Sequence, residues 1–136
     1  MANIDRMKIT DEVAIIVLTD RIGRVLMQRR ALDAHIEPGK WTPPGGRLDS
    51  AEDAAAAARR ELLEETGLTA ALESRGVVDQ IRADGTVVRF YVFTGCTDES
   101  QKDVVMGEGL TMRFLTRTEI GTVQLASNAE TFLDMS

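Results

Sequence analysis

In 136 residues the sequence has one cysteine, one histidine and three prolines, and no long uninterrupted apolar run. Each shortage closes a route. Cys96 alone cannot form an intrachain disulfide, so the fold must rest on its core, and a chain of this length can bury enough apolar surface to fold as one domain without cross-links. A single domain over residues 1–136 is therefore expected. His35 has no cysteine or histidine cluster around it from which to build a zinc site, and it reads as a loop residue. No secretory leader or spanning segment precedes the first structured segment, so a cytoplasmic protein away from membranes is expected. The 22 acidic and 16 basic side chains give a formal charge of −6, which opposes general attraction to a nucleic-acid backbone. A nucleic-acid polymer is not expected as a partner, and a small polyanionic ligand would need a metal ion or a local basic cluster. The same acidic surplus is also what a plain solvated surface carries.

Residues 12–18 read as a buried strand, and after the polar turn Asp20-Arg21-Ile22-Gly23 residues 24–28 read as its hairpin partner. All three prolines and three glycines fall within 31–46, which predicts a long loop of the kind that often carries function. Residues 50–65 lack both proline and glycine and are rich in alanine, and they open on the capping-box pattern Ser50-Ala51-Glu52-Asp53. This predicts a helix, stopped by Gly67. Residues 73–82 and 86–95 read as a hairpin around Ala83-Asp84-Gly85, followed by a strand at 110–115. Thr116-x-x-Glu119 and Ser127-x-x-Glu130 predict a short helix and a terminal one. The expected class is α/β, a mixed sheet covered by helices.

The most informative segment ends the first helix. At about 100° per residue, Glu61, Glu64 and Glu65 share one stripe, while Leu62 and Leu63 point elsewhere. Such spacing costs an isolated helix a few tenths of a kcal/mol per like-charged pair, and the helix C-terminus disfavours negative charge further. Arg60 offers partial relief through its i,i+4 relation to Glu64. The stripe is either a solvated acidic face or a site for a hard divalent cation, which takes oxygen ligands and shares its shell with water and phosphates.

From Gly46 to Leu68 the order is glycine, five residues, Glu52, seven residues, Arg60-Glu61, an aliphatic, any residue, Glu64-Glu65, any residue, Gly67 and an aliphatic. Every defined position of the Nudix box is matched, and the chain resembles the Nudix hydrolases, with a MutT-like lead-in through Gly39-Lys40-Trp41 and Pro44-Gly45-Gly46. The resemblance implies a Nudix-type αβα sandwich. It implies that Glu61, Glu64 and Glu65 bind magnesium, with manganese as a substitute, helped by the Gly46 carbonyl, and that Glu52 and Arg60 orient them. Glu61 would be the base, and Glu108, in the loop before the last strand, would assist at the metal. A metal there would neutralise phosphate oxygens and activate a water for in-line attack.

Two further segments, residues 29–35 and 125–128, resemble parts of the MutT-type enzymes that hydrolyse 8-oxo-dGTP. That likeness places Arg30 at phosphate or base and Asn128 at the purine edge, where an amide offers both donor and acceptor. The alternatives are a solvated strand end for Arg30 and a helix start for Asn128. Trp41 would supply a stacking face or pack the core. Pro43 stands where these relatives carry a bulky apolar residue, a departure that bears on the shape of the base pocket. The marks of the ADP-ribose, NADH and coenzyme A subclasses are absent. The expected activity is hydrolysis of a nucleoside triphosphate to monophosphate and pyrophosphate, with an oxidised purine such as 8-oxo-dGTP as candidate substrate. The alternatives are a dinucleotide, ADP-ribose or nucleotide-sugar pyrophosphatase, and a non-catalytic nucleotide sensor, which would usually have lost box glutamates. By analogy with the family the chain would form a homodimer.

Overall fold

A central strand that is apolar on both sides organises the molecule. The computed structural model describes residues 8–99, 101–104 and 111–136. Strand β1 (Ile9–Thr19) is buried from Ala14 through Leu18, as a strand covered on both faces must be. It runs parallel to β6 (Val87–Cys96), which pairs antiparallel with β5 (Glu73–Ile81) at the sheet edge. On its other side β1 meets β2 (Val25–Arg29) near the turn, and β2 in turn carries β3 (Trp41–Thr42) and β7 (Thr111–Leu115).

Side-chain alternation along these strands sorts the core into two layers. Ala14, Ile16, Leu18, Leu26, Phe93, Met112 and Phe114 pack against Ala57, Ala58 and Leu62 of helix α1 (Ala54–Thr66). Ile15, Val17, Val25, Met27, Val92 and Leu115 pack on the opposite face against α2 (Arg117–Ile120) and α3 (Ala129–Asp134), through Ile120, Phe132 and Leu133. The result is the expected mixed sheet flanked by helices. No helix among the described residues is long and apolar enough to cross a membrane.

Three local expectations are corrected. The segment 31–46 is not loop throughout: β3 lies within it, and β4 (Gly45–Arg47) begins in it and pairs with β1 through Val13, Ala14 and Ile15. Only Thr19 and Val25 register β1 against β2, so β1 and β2 part company and the chain from Pro44 to Arg47 takes up the vacated edge, with Ile16 N donating to Pro44 O at 2.9 Å. Backbone donors exposed by that parting find acceptors in this segment, which satisfies a strand that must be paired when buried.

Helix α1 starts at Ala54 rather than at Ser50. Ala51 takes a left-handed φ of 65°, and the cap is Asp53, whose carboxylate accepts from Ala56 N at 2.7 Å. Asp53, expected as the last position of the box, is instead the cap, and Ser50 lies ahead of the helix. The third correction concerns α3, where Ser127 makes no capping box. The position before the helix is Asn128, at φ 70° and with no side-chain cap bond. Among the described residues only α2 closes the reciprocal box, between Thr116 and Glu119. At the far end of α1, Gly67 at φ 73° donates its N–H to Leu63 O, the left-handed stop that glycine adopts without strain. Asp53→Ala should cost about 1 kcal/mol of stability and Ser50→Ala close to none, measured as denaturant midpoints; equal losses would contradict this start of the helix.

Candidate functional site

Helix α1 ends beside strand β4, and this contact collects the charged residues of the box. Arg60 is the hub. Its Nε and Nη2 hold both oxygens of Glu52 at 2.8 and 2.9 Å, Nη2 also donates to the Arg47 carbonyl at 3.1 Å, and Nη1 reaches Glu61 Oε1 at 2.9 Å and Glu64 Oε2 at 3.2 Å. Glu52 also accepts from Asp49 N at 3.0 Å. The Arg60 guanidinium, aided by that amide, holds the Glu52 carboxyl down to about 2, and the carboxylates around Arg60 raise its own affinity for its proton. The paired fork geometry is the strong form of a charge-assisted bond.

The three stripe glutamates differ sharply in environment. Glu64 is 57% exposed and Glu61 14%. Glu65 is pressed inward, and its Oε2 is buried with no hydrogen-bond partner. Burial first, then contact with the Glu61 carboxyl and the charges of Glu61 and Glu64, push the Glu65 carboxyl well above the usual carboxylate range. Glu61 in turn lies flat against Gly46, where a Cβ would overlap its carboxylate. Glycine is thus required at position 46 for the strand and the helix carboxylate to approach.

These features fit a hard cation. A buried carboxylate oxygen without a donor is costly, two carboxyls in contact repel, and both defects disappear when a divalent ion takes their oxygens. Among the described residues no three acidic, histidine or cysteine side chains stand as a group that could hold a metal ion, and Arg60 engages oxygens of Glu61 and Glu64. Gly46, Glu52, Arg60, Glu61, Glu64 and Glu65 are brought together; Glu108 lies outside the described residues.

On the opposite face of the sheet a cleft of about 470 Å3 opens beside β4. Val13, Ile15, Val88, Phe90 and Phe132 give it an apolar floor, and Pro43 and Gly45 form part of its wall. Arg30 and Asn128 both line it. Arg30 Nε donates to Ile36 O at 2.7 Å, which ties down the chain after β2. Asn128 Nδ2 donates to Gln80 Oε1 at 3.0 Å, and Glu37 accepts from Ser127 N at 2.7 Å. Bonds from Ser127 hold the Glu37 carboxyl below the usual carboxylate range.

Trp41 is not among the residues lining the cleft. It packs on the core layer that holds Ile15 and Phe132, and its backbone bridges to Gln124 and Ala126. The residues that sequence reasoning missed are Arg47, Gln80 and Arg82, all on the cleft wall. Gln80 and Arg82 sit two apart at the end of β5, so alternation alone puts them on one face; which face meets the cleft required the packing of α3.

Comparison with known proteins shows the family. The Nudix domain family model matches residues 9–134. The chain belongs to the Nudix family. The m7GpppN-mRNA hydrolase of Xenopus laevis is 43% identical over 58 residues, which are 42% of this chain and 20% of that protein. The oxidized purine nucleoside triphosphate hydrolase of Danio rerio is 45% identical over 62 residues, 44% of this chain and 37% of that protein. The chain thus spans well under half the length of both curated relatives. The crystal structure of the MutT protein from Methanosarcina mazei Go1 has the same fold, with a TM-score of 0.75, 22% identity and 94% of each chain covered. Nudix hydrolases generally use divalent metal ions, which is the ligand class the Glu61–Glu65 pair fits.

Because the folded Glu52 carboxyl titrates near 2 against an ordinary 4.5, the stability it contributes is present above pH 4.5 and lost as pH falls toward 2. Carboxyl-carbon NMR should show a Glu52 midpoint near 2 that returns toward the ordinary value in Arg60→Ala. An unchanged midpoint would contradict the role of Arg60 as hub.

Proposed function

We propose that this chain is a magnesium-dependent hydrolase of a pyrophosphate bond in a nucleoside diphosphate derivative, acting on a nucleoside triphosphate to give the monophosphate and pyrophosphate. The observation that carries the reading is the partnerless buried oxygen of Glu65 in contact with Glu61, beside a strand whose other face opens into a nucleotide-sized cleft. Glu61, Glu64, Glu65 and the Gly46 carbonyl would hold the ion. When bound, a divalent cation supplies positive charge against the phosphate oxygens and makes water acidic enough to attack phosphorus.

The chain's own groups do the rest. Glu52 and Arg60 fix the orientation of Glu61 and Glu64, as residues behind metal ligands do. The Glu61 carboxylate, placed against Gly46, takes the proton of the attacking water, and Glu108, outside the described residues, would assist at the metal. The apolar floor and Phe90 receive the base, with Asn128 at its edge and Arg30 at base or phosphate. An oxidised purine such as 8-oxo-dGTP is the preferred candidate: the Asn128 amide has a hydrogen-bonding atom left after its bond to Gln80, and the Danio rerio relative bears the name of an oxidized purine nucleoside triphosphate hydrolase.

The test is release of pyrophosphate and phosphate from 8-oxo-dGTP, dGTP, dCTP, ADP-ribose, a diadenosine polyphosphate, a capped RNA and a nucleotide sugar, with magnesium and with chelator. Magnesium-dependent release led by 8-oxo-dGTP is expected, and no turnover of any of them would discard the enzyme reading. Glu64→Gln should keep the fold, since helix propensity barely changes, and lower turnover by at least the roughly 10–100-fold seen when groups behind metal ligands are lost. Near-normal activity in that variant would sink the metal assignment. Asn128→Ala should raise KM for an altered purine more than for dCTP, and equal effects on all bases would remove Asn128 from recognition.

A further inference from the structure

The cleft floor is apolar, but its wall carries two arginines from parts of the sheet that are not neighbours. Arg47 ends β4 and Arg82 follows β5, with β1 and β6 between them. One carboxylate joins the two. Asp11 Oδ1 lies 3.1 Å from Arg47 Nη1, and Asp11 Oδ2 pairs with Arg82 Nη2. Arg82 is fixed further by Nη1, which donates to Thr10 Oγ1 at 3.0 Å and to Thr86 Oγ1 at 3.5 Å. The Arg47 side chain, by contrast, is 75% exposed and paired through Nη1, so most of its fork is turned to solvent. Its backbone carbonyl is the one that Arg60 binds, which places Arg47 between the cleft and the box.

Two cations on one anion leave a single positive charge here, in a chain whose formal charge is −6. Asp11 itself does not line the cleft, whereas both arginines do. At this wall a ligand therefore meets guanidinium, and the carboxylate that does line the cleft, Glu37, is bonded to Ser127 N. Planar forks held in place before the ligand arrives are well suited to phosphate oxygens, because little side-chain entropy is lost on binding.

We propose that Arg47 and Arg82, tethered to each other through Asp11, form a phosphate-binding subsite in the cleft, separate from the box glutamates. It takes the phosphate chain of a nucleotide where that chain leaves the apolar floor for the acidic helix. Arg47 contacts the ligand, Arg82 supports it, and Asp11 is a positioning residue. This deepens the nucleotide-hydrolase reading and rests on it. It also narrows the substrate class to nucleotides with an extended phosphate chain.

Calorimetric titration of dGTP and of deoxyguanosine in chelator tests the subsite without metal. Wild type should bind dGTP the tighter of the two. Arg47→Ala should lose roughly 10-fold in dGTP affinity, the scale of one charge-assisted contact, and leave deoxyguanosine unchanged, with an unaltered melting temperature. Added salt should weaken dGTP binding to wild type more than to that variant. With magnesium, the same variant should raise KM while kcat stays within about threefold, the pattern of lost uniform binding. Asp11→Ala should weaken dGTP several-fold, and Arg82→Lys should lose less than Arg82→Ala. Wild-type dGTP affinity in Arg47→Ala, or equal losses for dGTP and deoxyguanosine, would overturn the subsite. Unchanged or tighter binding in Asp11→Ala would overturn the tether. Loss of metal-free dGTP binding in Arg47→Ala alongside a wild type that hydrolyses no nucleotide would discard the hydrolase reading and keep the subsite.

Discussion

Carboxylate crowding at the C-terminal end of α1 is the constraint on which the rest of the site depends. Glu61, Glu64 and Glu65 repel one another at i,i+3 and i,i+4 spacing, the helix dipole adds to the cost, and no basic residue occupies the last turn. The fold answers with one guanidinium. Arg60 neutralises Glu61 and Glu64 while its remaining donors are committed to Glu52 and the Arg47 carbonyl. Glu65 is left out of this settlement, buried and without a donor. A helix that served stability alone would carry a leucine or alanine there, so the strain at Glu65 is best understood as a place kept for a cation.

The sheet sets that helix end on one face and the cleft on the other, with β4 between them. Because β1 and β2 register only at Thr19 and Val25, the Pro44–Arg47 segment can run along β1. On one face Gly46 lets the Glu61 carboxylate come down onto the strand. On the other, Gly45 and Arg47 form the wall of the cleft. A three-residue strand thus borders both the box glutamates and the cleft, the two places where the proposed function puts metal and nucleotide.

Much of this was legible in the sequence, and unevenly. The buried strand at 12–18 and the hairpin at 73–95 were readable because apolar runs and turn residues act locally. The box helix was readable through its missing glycine and proline. Its start was not: Ser50 and Asp53 have the spacing of a capping box, but Ala51 takes a left-handed φ and Asp53 itself becomes the cap, bonding Ala56 N. The surroundings of Trp41 and Asn128 were also not legible locally. Trp41 is drawn onto the α3 layer of the core, and Asn128 adopts a left-handed turn tied to Gln80 rather than capping its helix. Arg47, Arg82 and Asp11 are scattered over three strands, and only the parallel pairing of β1 with β6 brings them into line.

The central claim is that the Glu61–Glu65 end of α1 is a divalent-cation site. Titrating the metal-free protein with manganese at pH 7, followed by loss of the free-ion paramagnetic signal together with proton release, tests it most directly. The account predicts saturable binding, removed by Glu65→Gln, with protons released because the Glu65 carboxyl, held above its usual range by burial and by Glu61, must ionise to become a ligand. Absence of saturable binding, or binding that Glu65→Gln leaves intact, would contradict it.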